Sequence, residues 1–294
     1  MEPGQVVLFA IGGLSNAAYL FIVAAGLSLV FGALRVINMA HGSIYMIAAF
    51  VTVVVANQLT SELGFWGGLA AALLITAVVG ALVEIIVLRR VYREAHLVQL
   101  LGTYAVTLIV AGAVRILFGP NYRTMRPPAL FAGSVSLGGY SYSIYSFFMI
   151  GAAIMIAAGV YVMLYRTSLG RNIRAAVSDP DLLRASGVNV VRLFTTVFVV
   201  GAMLAGLGGV IVAPSQAVGS SMDTDVLVLA FAISVIGGLG SIVGSLVGAL
   251  IVGELISFGL NNPFTNQFAL AFVFIVMAAV LTVRPWGLFG KAER

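Results

Sequence analysis

The sequence predicts an all-α, polytopic transmembrane helical bundle. Composition and run length carry that expectation. Of 294 residues, 61% are hydrophobic and only 9% charged, with a mean hydropathy of +1.13; soluble domains carry about 25% charged residues. In lipid the backbone must satisfy its own hydrogen bonds, which leaves helices or a closed barrel. A barrel reads as short segments of alternating polarity. This chain instead shows long apolar runs such as 69–88 and 268–283, near the roughly 20 residues a helix needs to cross a bilayer.

The hydrophobic segments run 6–31, 37–56, 65–88, 97–118, 144–164, 193–212, 226–236, 242–260 and 268–283. The seventh is too short to span alone. Gly237-Gly238-Leu239-Gly240-Ser241 bounds it, so it reads as a half-helix or re-entrant element, and the count is eight or nine. The whole chain, 1–294, reads as one transmembrane domain. Met1-Glu2-Pro3 lacks the basic start of a cleavable signal, so the first segment is expected to be a retained helix with a non-cytoplasmic N-terminus.

Arginines set the orientation. Arg89, Arg90 and Arg93 follow the third segment, Arg166, Arg171, Arg174, Arg184 and Arg192 occupy 165–192, and Arg284, Lys291 and Arg294 follow the last. The positive-inside bias places these in the cytoplasm. The N-terminus is then outside, the C-terminus inside, and 119–143 an extracytoplasmic loop in which Arg123 and Arg126 are exceptions. The formal net charge of +5 thus reports loop placement rather than nucleic-acid binding.

In 165–192, Ser168 is expected to cap a short helix running to Val177. Asp179 before Pro180 offers a second cap followed by a favoured first helical residue. Gly187 supplies a left-handed stop. Two readings remain open from spacing alone: an amphipathic pair resting on anionic membrane lipid, or a docking element for a cytoplasmic partner.

Conventional nucleotide chemistry is absent. A phosphate loop needs lysine after its glycine turn, and the only lysine, Lys291, lacks the earlier glycine. With no cysteine, two histidines (His41 and His96) and no metal-ligand spacing, the sequence offers no enzyme or metal site. Polar breaks do stand out. Asn38, His41, Gly42 and Ser43 interrupt one apolar stretch, and Gly237, Gly238, Gly240 and Ser241 interrupt another. Such breaks point to a substrate path, although glycines at three- or four-residue spacing also serve close helix packing. Of the ionisable residues at membrane depth, Glu84 is expected to snorkel toward Arg89 and Arg115 to sit near an outer helix end. His41 either lines the route or bonds one helix to another, and Glu254 either lines it or stabilises the glycine-rich segment.

Four motifs in order resemble the branched-chain amino acid permease subunits of ABC importers, the LivH type in particular. They are 26–32 followed by Val36-Ile37-Asn38-Met39-Ala40-His41-Gly42, with Met39 for the usual Phe; Phe118-Gly119-Pro120 with Pro127; Gly237 to Gly244; and Arg284-Pro285-Trp286-Gly287-Leu288-Phe289-Gly290. The resemblance implies a permease in a bacterial-type inner membrane. It also implies a second homologous permease, two ATP-binding cassette subunits holding ATP and Mg, and an extracytoplasmic solute-binding protein. It favours docking for 165–192, because importer permeases carry an E-A-A-x-x-x-G loop. Here Asp181 and Gly187 match that pattern while Leu182 and Leu183 replace the alanines. Gly170, Arg171, Arg174, Asp179, Pro180, Asp181 and Gly187 are the expected coupling residues. Urea and short-chain amide importers resemble the same group. An ion- or proton-coupled carrier is the rival mechanism.

Overall fold

The computed structural model describes residues 3–59, 61–92, 94–137, 139–262 and 264–290. Met1, Glu2, Arg93, Lys291 and Arg294, on which part of the orientation reading rests, lie outside the described residues. The helices are α1 (Pro3–Leu34), α2 (His41–Gln58), α3 (Ser61–Val83), α4 (Arg89–Val91), α5 (His96–Phe118), α6 (Ile144–Arg166), α7 (Ser168–Ser178), α8 (Pro180–Ala185), α9 (Val190–Val212), α10 (Met222–Gly237), α11 (Ile242–Leu260) and α12 (Ala269–Val283). A π-helical turn, Glu84–Leu88, joins α3 to α4. Among the described residues, eight helical segments are long and apolar enough to cross a membrane.

α10 is not one of them. Its 16 residues span about 24 Å at 1.5 Å per residue, against a hydrocarbon core of ~30 Å. It begins at Met222 rather than 226, because Asp223 and Asp225 in its first turn suit the positive end of a helix. The 119–143 loop also departs from an all-helical picture. β1 (Ser134–Leu137) and β2 (Tyr140–Ser143) form an antiparallel hairpin, whose alternating Ser-Val-Ser-Leu and Tyr-Ser-Tyr-Ser text is a period-2 signal.

α1 forms the axis. Leu20, Ile22, Val23, Ala24 and Ala25 are fully buried, so this stretch has no outer face, as expected of a helix apolar all round. It packs along α9 and α11 and against α6 and α10. α5, α6 and α12 lie outermost, presenting Ile109, Ile116, Ile154 and Ile275 outward; lipid is the solvent that accepts such a surface.

The arginine-rich segments share one end of the bundle. There Arg89 bonds Thr195 near the start of α9, Arg174 bonds Leu164 at the end of α6, and Gly32 of α1 meets Gly240 of the α10–α11 turn. Arg284 follows α12 at the same end, where the tail reaches α10. At the other end, Arg123 pairs with Val218 in an isolated bridge and Asn57 donates to the Thr124 carbonyl.

Candidate functional site

α2 starts inside the bundle. His41, its first residue, lies against Val23 and Gly26 of α1. Val23 precedes Leu34 by eleven residues, about 16 Å of helix at 1.5 Å per residue. The non-helical residues 35–40 climb back that distance from the end of α1, within the ~3.3 Å per residue that an extended chain can reach. Arg35 makes the reversal at φ 55°. The segment is tied down where Thr103 Oγ1 accepts from Met39 N (3.2 Å) and Asn38 Oδ1 accepts from Ala40 N (3.1 Å).

The structure brings Asn38, His41, Gly42 and Ser43 together in an enclosed cluster. Asn38, His41 and Ser43 are 1%, 0% and 0% exposed. His41 Nε2 donates to the Val23 carbonyl at 2.9 Å, so the helix-to-helix bond foreseen as one of its roles is present. Gly42 lets two helices touch: a Cβ there would lie 2.1 Å from the Asp223 carbonyl oxygen of α10.

Gly237, Gly238, Gly240 and Ser241 form the turn between α10 and α11, at the arginine-rich end. They are therefore separate from the α2 cluster. Gly238 and Gly240 hold φ of 102° and 84°, and Ser241 Oγ accepts from Gly244 N to cap α11. Ser28 ties the two helices to α1 through Ser234 (3.2 Å) and Ser245 (2.6 Å). The Arg284–Gly290 motif also finds its reason here. Leu288 N and Phe289 N donate to the carbonyls of Ile236 and Gly237 (both 2.9 Å), occupying acceptors that a helix C-terminus leaves free.

α7 and α8 form the predicted pair of short helices, with one change. Thr167, not Ser168, caps α7, its Oγ1 accepting from Gly170 N. Thr167 is still extended whereas Ser168 is already helical, and only a non-helical residue can turn its hydroxyl onto the free amides. Asp179 caps α8 through the amides of Asp181 and Leu182 (3.0 and 2.9 Å); Asp179→Ala is expected to cost α8 about 1 kcal/mol, read as faster amide exchange at those two residues. Gly187 ends α8 at φ 86°. Gly170 and Arg174 lock α7 onto the end of α6, Arg174 lying 5.3 Å from the Tyr165 ring centroid. Arg171, Asp179, Pro180, Asp181 and Gly187 are exposed. Leu183 packs inward while Leu182 stands 66% exposed.

A family model, branched-chain amino acid transport system / permease component, matches residues 9–281. The chain belongs to that family. This permease is 25% identical to the branched-chain amino acid permease protein BraD of Pseudomonas aeruginosa, over 96% of this chain and 95% of the relative. It is 27% identical to LivH of Escherichia coli K12, covering 92% and 91% of the two chains. It is also 28% identical to LivM of Salmonella typhimurium, over 91% of this chain and 67% of LivM. No solved structure matches. Membership makes the chain a multi-pass transport subunit rather than an enzyme.

One polar group of the permease differs from its sequence reading. Glu84 does not snorkel; it is 0% exposed. In an α-helix residues five apart point about 140° away from each other, but the π turn bonds Arg89 N to Glu84 O and swings both side chains together. Arg89 Nη2 then meets Glu84 Oε2 at 2.9 Å. Thr195 of α9 and Tyr92 donate to the same carboxylate at 2.8 and 3.1 Å. Burial, and then the Glu84 charge, push the Tyr92 phenol far above its ordinary range, so it stays a donor. Sequence reasoning missed Thr195, 111 residues away. Glu254 lies beside Gly13 of α1, which Gly253 also meets, and its buried Oε2 has no hydrogen-bond partner among the described residues.

Proposed function

We propose that this permease forms part of the translocation path of an ATP-driven importer for branched-chain or related hydrophobic amino acids. It works beside a second homologous permease, two ATP-binding cassette subunits that hold ATP and Mg, and an extracytoplasmic binding protein. The family match over 9–281 carries the reading. The arginine-rich end faces the cytoplasm under the positive-inside bias, which puts α7 and α8 where an ATPase docks, with Leu182 and Asp181 outward. ATP inside and loaded binding protein outside shift the access equilibrium only through unequal affinity for its two states. The α2 and α10–α11 breaks are the elements assigned to the path.

Reconstitution in proteoliposomes with the cognate ATPases and binding protein tests this. ATP-dependent uptake of leucine, isoleucine and valine is the expected result; uptake of urea or short-chain amides instead would reassign the substrate. Glu254, whose buried Oε2 has no hydrogen-bond partner among the described residues, is the observation that favours a proton-coupled carrier. Uptake that dies when proton and sodium gradients collapse with ATP maintained would establish that rival. Gly187→Val tests the coupling element. A Cβ at Gly187 meets nothing within 4 Å, so the change acts through its left-handed backbone alone, at about 1–2 kcal/mol. Expected are normal membrane insertion and ATP hydrolysis no longer tied to uptake; wild-type uptake would remove α8 from the mechanism.

A further inference from the structure

The start of α2 is a helix end with its polar capacity left over. Ala40, its N-cap residue, makes no side-chain cap bond, and a buried helix N-terminus holds amides in need of an acceptor. Around it, three side chains at most 1% exposed each keep one polar atom without a hydrogen-bond partner: Asn38 Nδ2, His41 Nδ1 and Ser43 Oγ. Buried polar atoms in native proteins are nearly always paired, so three in one turn mark a place prepared for another molecule.

Their chemistry is of two kinds. Asn38 Oδ1 is spent on Ala40 N, so its free atom is a donor, as is the Ser43 hydroxyl. The Val23 carbonyl can only accept, so Nε2 of His41 carries a proton, and in the form with a single ring proton Nδ1 offers a lone pair. Against it stands the first turn of α10, whose Asp223 carbonyl oxygen would lie 2.1 Å from a Cβ on Gly42; the Asp223 carboxylate of that turn is buried and accepts from Thr224 N. The start of α2 thus holds two spare donors and a lone pair, with the Asp223 carbonyl of α10 against it. The complement is a zwitterion.

We infer that the first turns of α2 and α10 form a head-group site for an α-amino acid. Its carboxylate is received by Asn38, Ser43 and the first amides of α2, and its ammonium by His41 Nδ1 and the Asp223 carbonyl of α10. The site is closed as α10 rests on Gly42 and opens when that contact parts. This rests on the importer reading and adds to it the atoms that recognise the solute inside the membrane.

Ser43→Ala separates a binding hydroxyl from a merely buried one. An unpartnered buried hydroxyl with no ligand is a liability, so its removal would leave thermal stability equal or higher and uptake unchanged. As a carboxylate donor, its loss lowers ATP-driven leucine uptake by about tenfold with thermal stability retained. Asn38→Asp keeps the acceptor for Ala40 N while replacing the donor, and should lower uptake further. Photo-leucine, a diazirine analogue, is expected to label peptides spanning 36–46 and 222–228 of the assembled transporter, and to label them less in both variants. Full uptake by Ser43→Ala, or labelling confined to other helices, overturns the site. Absence of ATP-driven uptake by the wild-type transporter would instead sink the importer reading, and the labelling pattern would still decide the site.

Discussion

Arg89→Leu should destabilise the permease more than Glu84→Leu, although both break the same ion pair. Glu84 is 0% exposed whereas the Arg89 side chain is 38% exposed. Deleting arginine leaves a buried carboxylate with, among the described residues, only Thr195 and Tyr92 as donors, and breaking a buried pair from that side costs about 3–5 kcal/mol. Deleting the glutamate leaves an arginine that reaches water, so its cost falls toward the lower end of that range. The double variant should recover part of the Arg89→Leu loss, because no charge is then stranded. Thermal melting of the purified protein in detergent checks the order. Equal losses for the two single variants would show that the π turn, rather than the charge, holds α3 to α9.

Gly237→Val should prevent the α10–α11 turn from closing. A Cβ at Gly237 would lie 2.2 Å from the Gly244 carbonyl group, and one at Gly244 would lie 2.1 Å from Gly237 O. Both obstacles are backbone, so no side chain can yield. The expected cost is at or above the ~3 kcal/mol reached by ordinary overpacking. The Leu288 and Phe289 bonds to α10 go with it, exposing the tail to limited proteolysis. Gly151→Ala, with nothing within 4 Å of its added carbon, is the matched control and should behave as wild type. Intact assembly and a protected tail in Gly237→Val would show that the turn has slack.

Much of the bundle is legible because a membrane span is a local property. The apolar runs, the Asp179-Pro180 cap and the Gly187 stop each declare themselves within a few residues. Family motifs are legible for the same reason. What escapes is whatever depends on distant partners. Residues 37–40 are mostly apolar and read as helix, yet they stay non-helical because α2 has to begin deep in the bundle. Glu84 and Arg89 read as a surface pair until the π turn and Thr195 are in place. The two polar breaks look alike in the sequence, but only the structure shows one to be an enclosed cluster of unsatisfied atoms and the other a tight glycine turn closed by the tail.

The burial of α1 also sets a problem of timing. Ser28 bonds to Ser245, 217 residues later in the chain. At roughly 5–20 residues per second of synthesis, the first helix waits about 10–45 s for that partner. During the wait its hydroxyl has to turn back on a carbonyl of its own helix, as serine does in an apolar setting. A ribosome stalled before α11 should therefore leave a nascent chain whose first helix can still be extracted or cross-linked to the insertion machinery, and release of the stall should seal it.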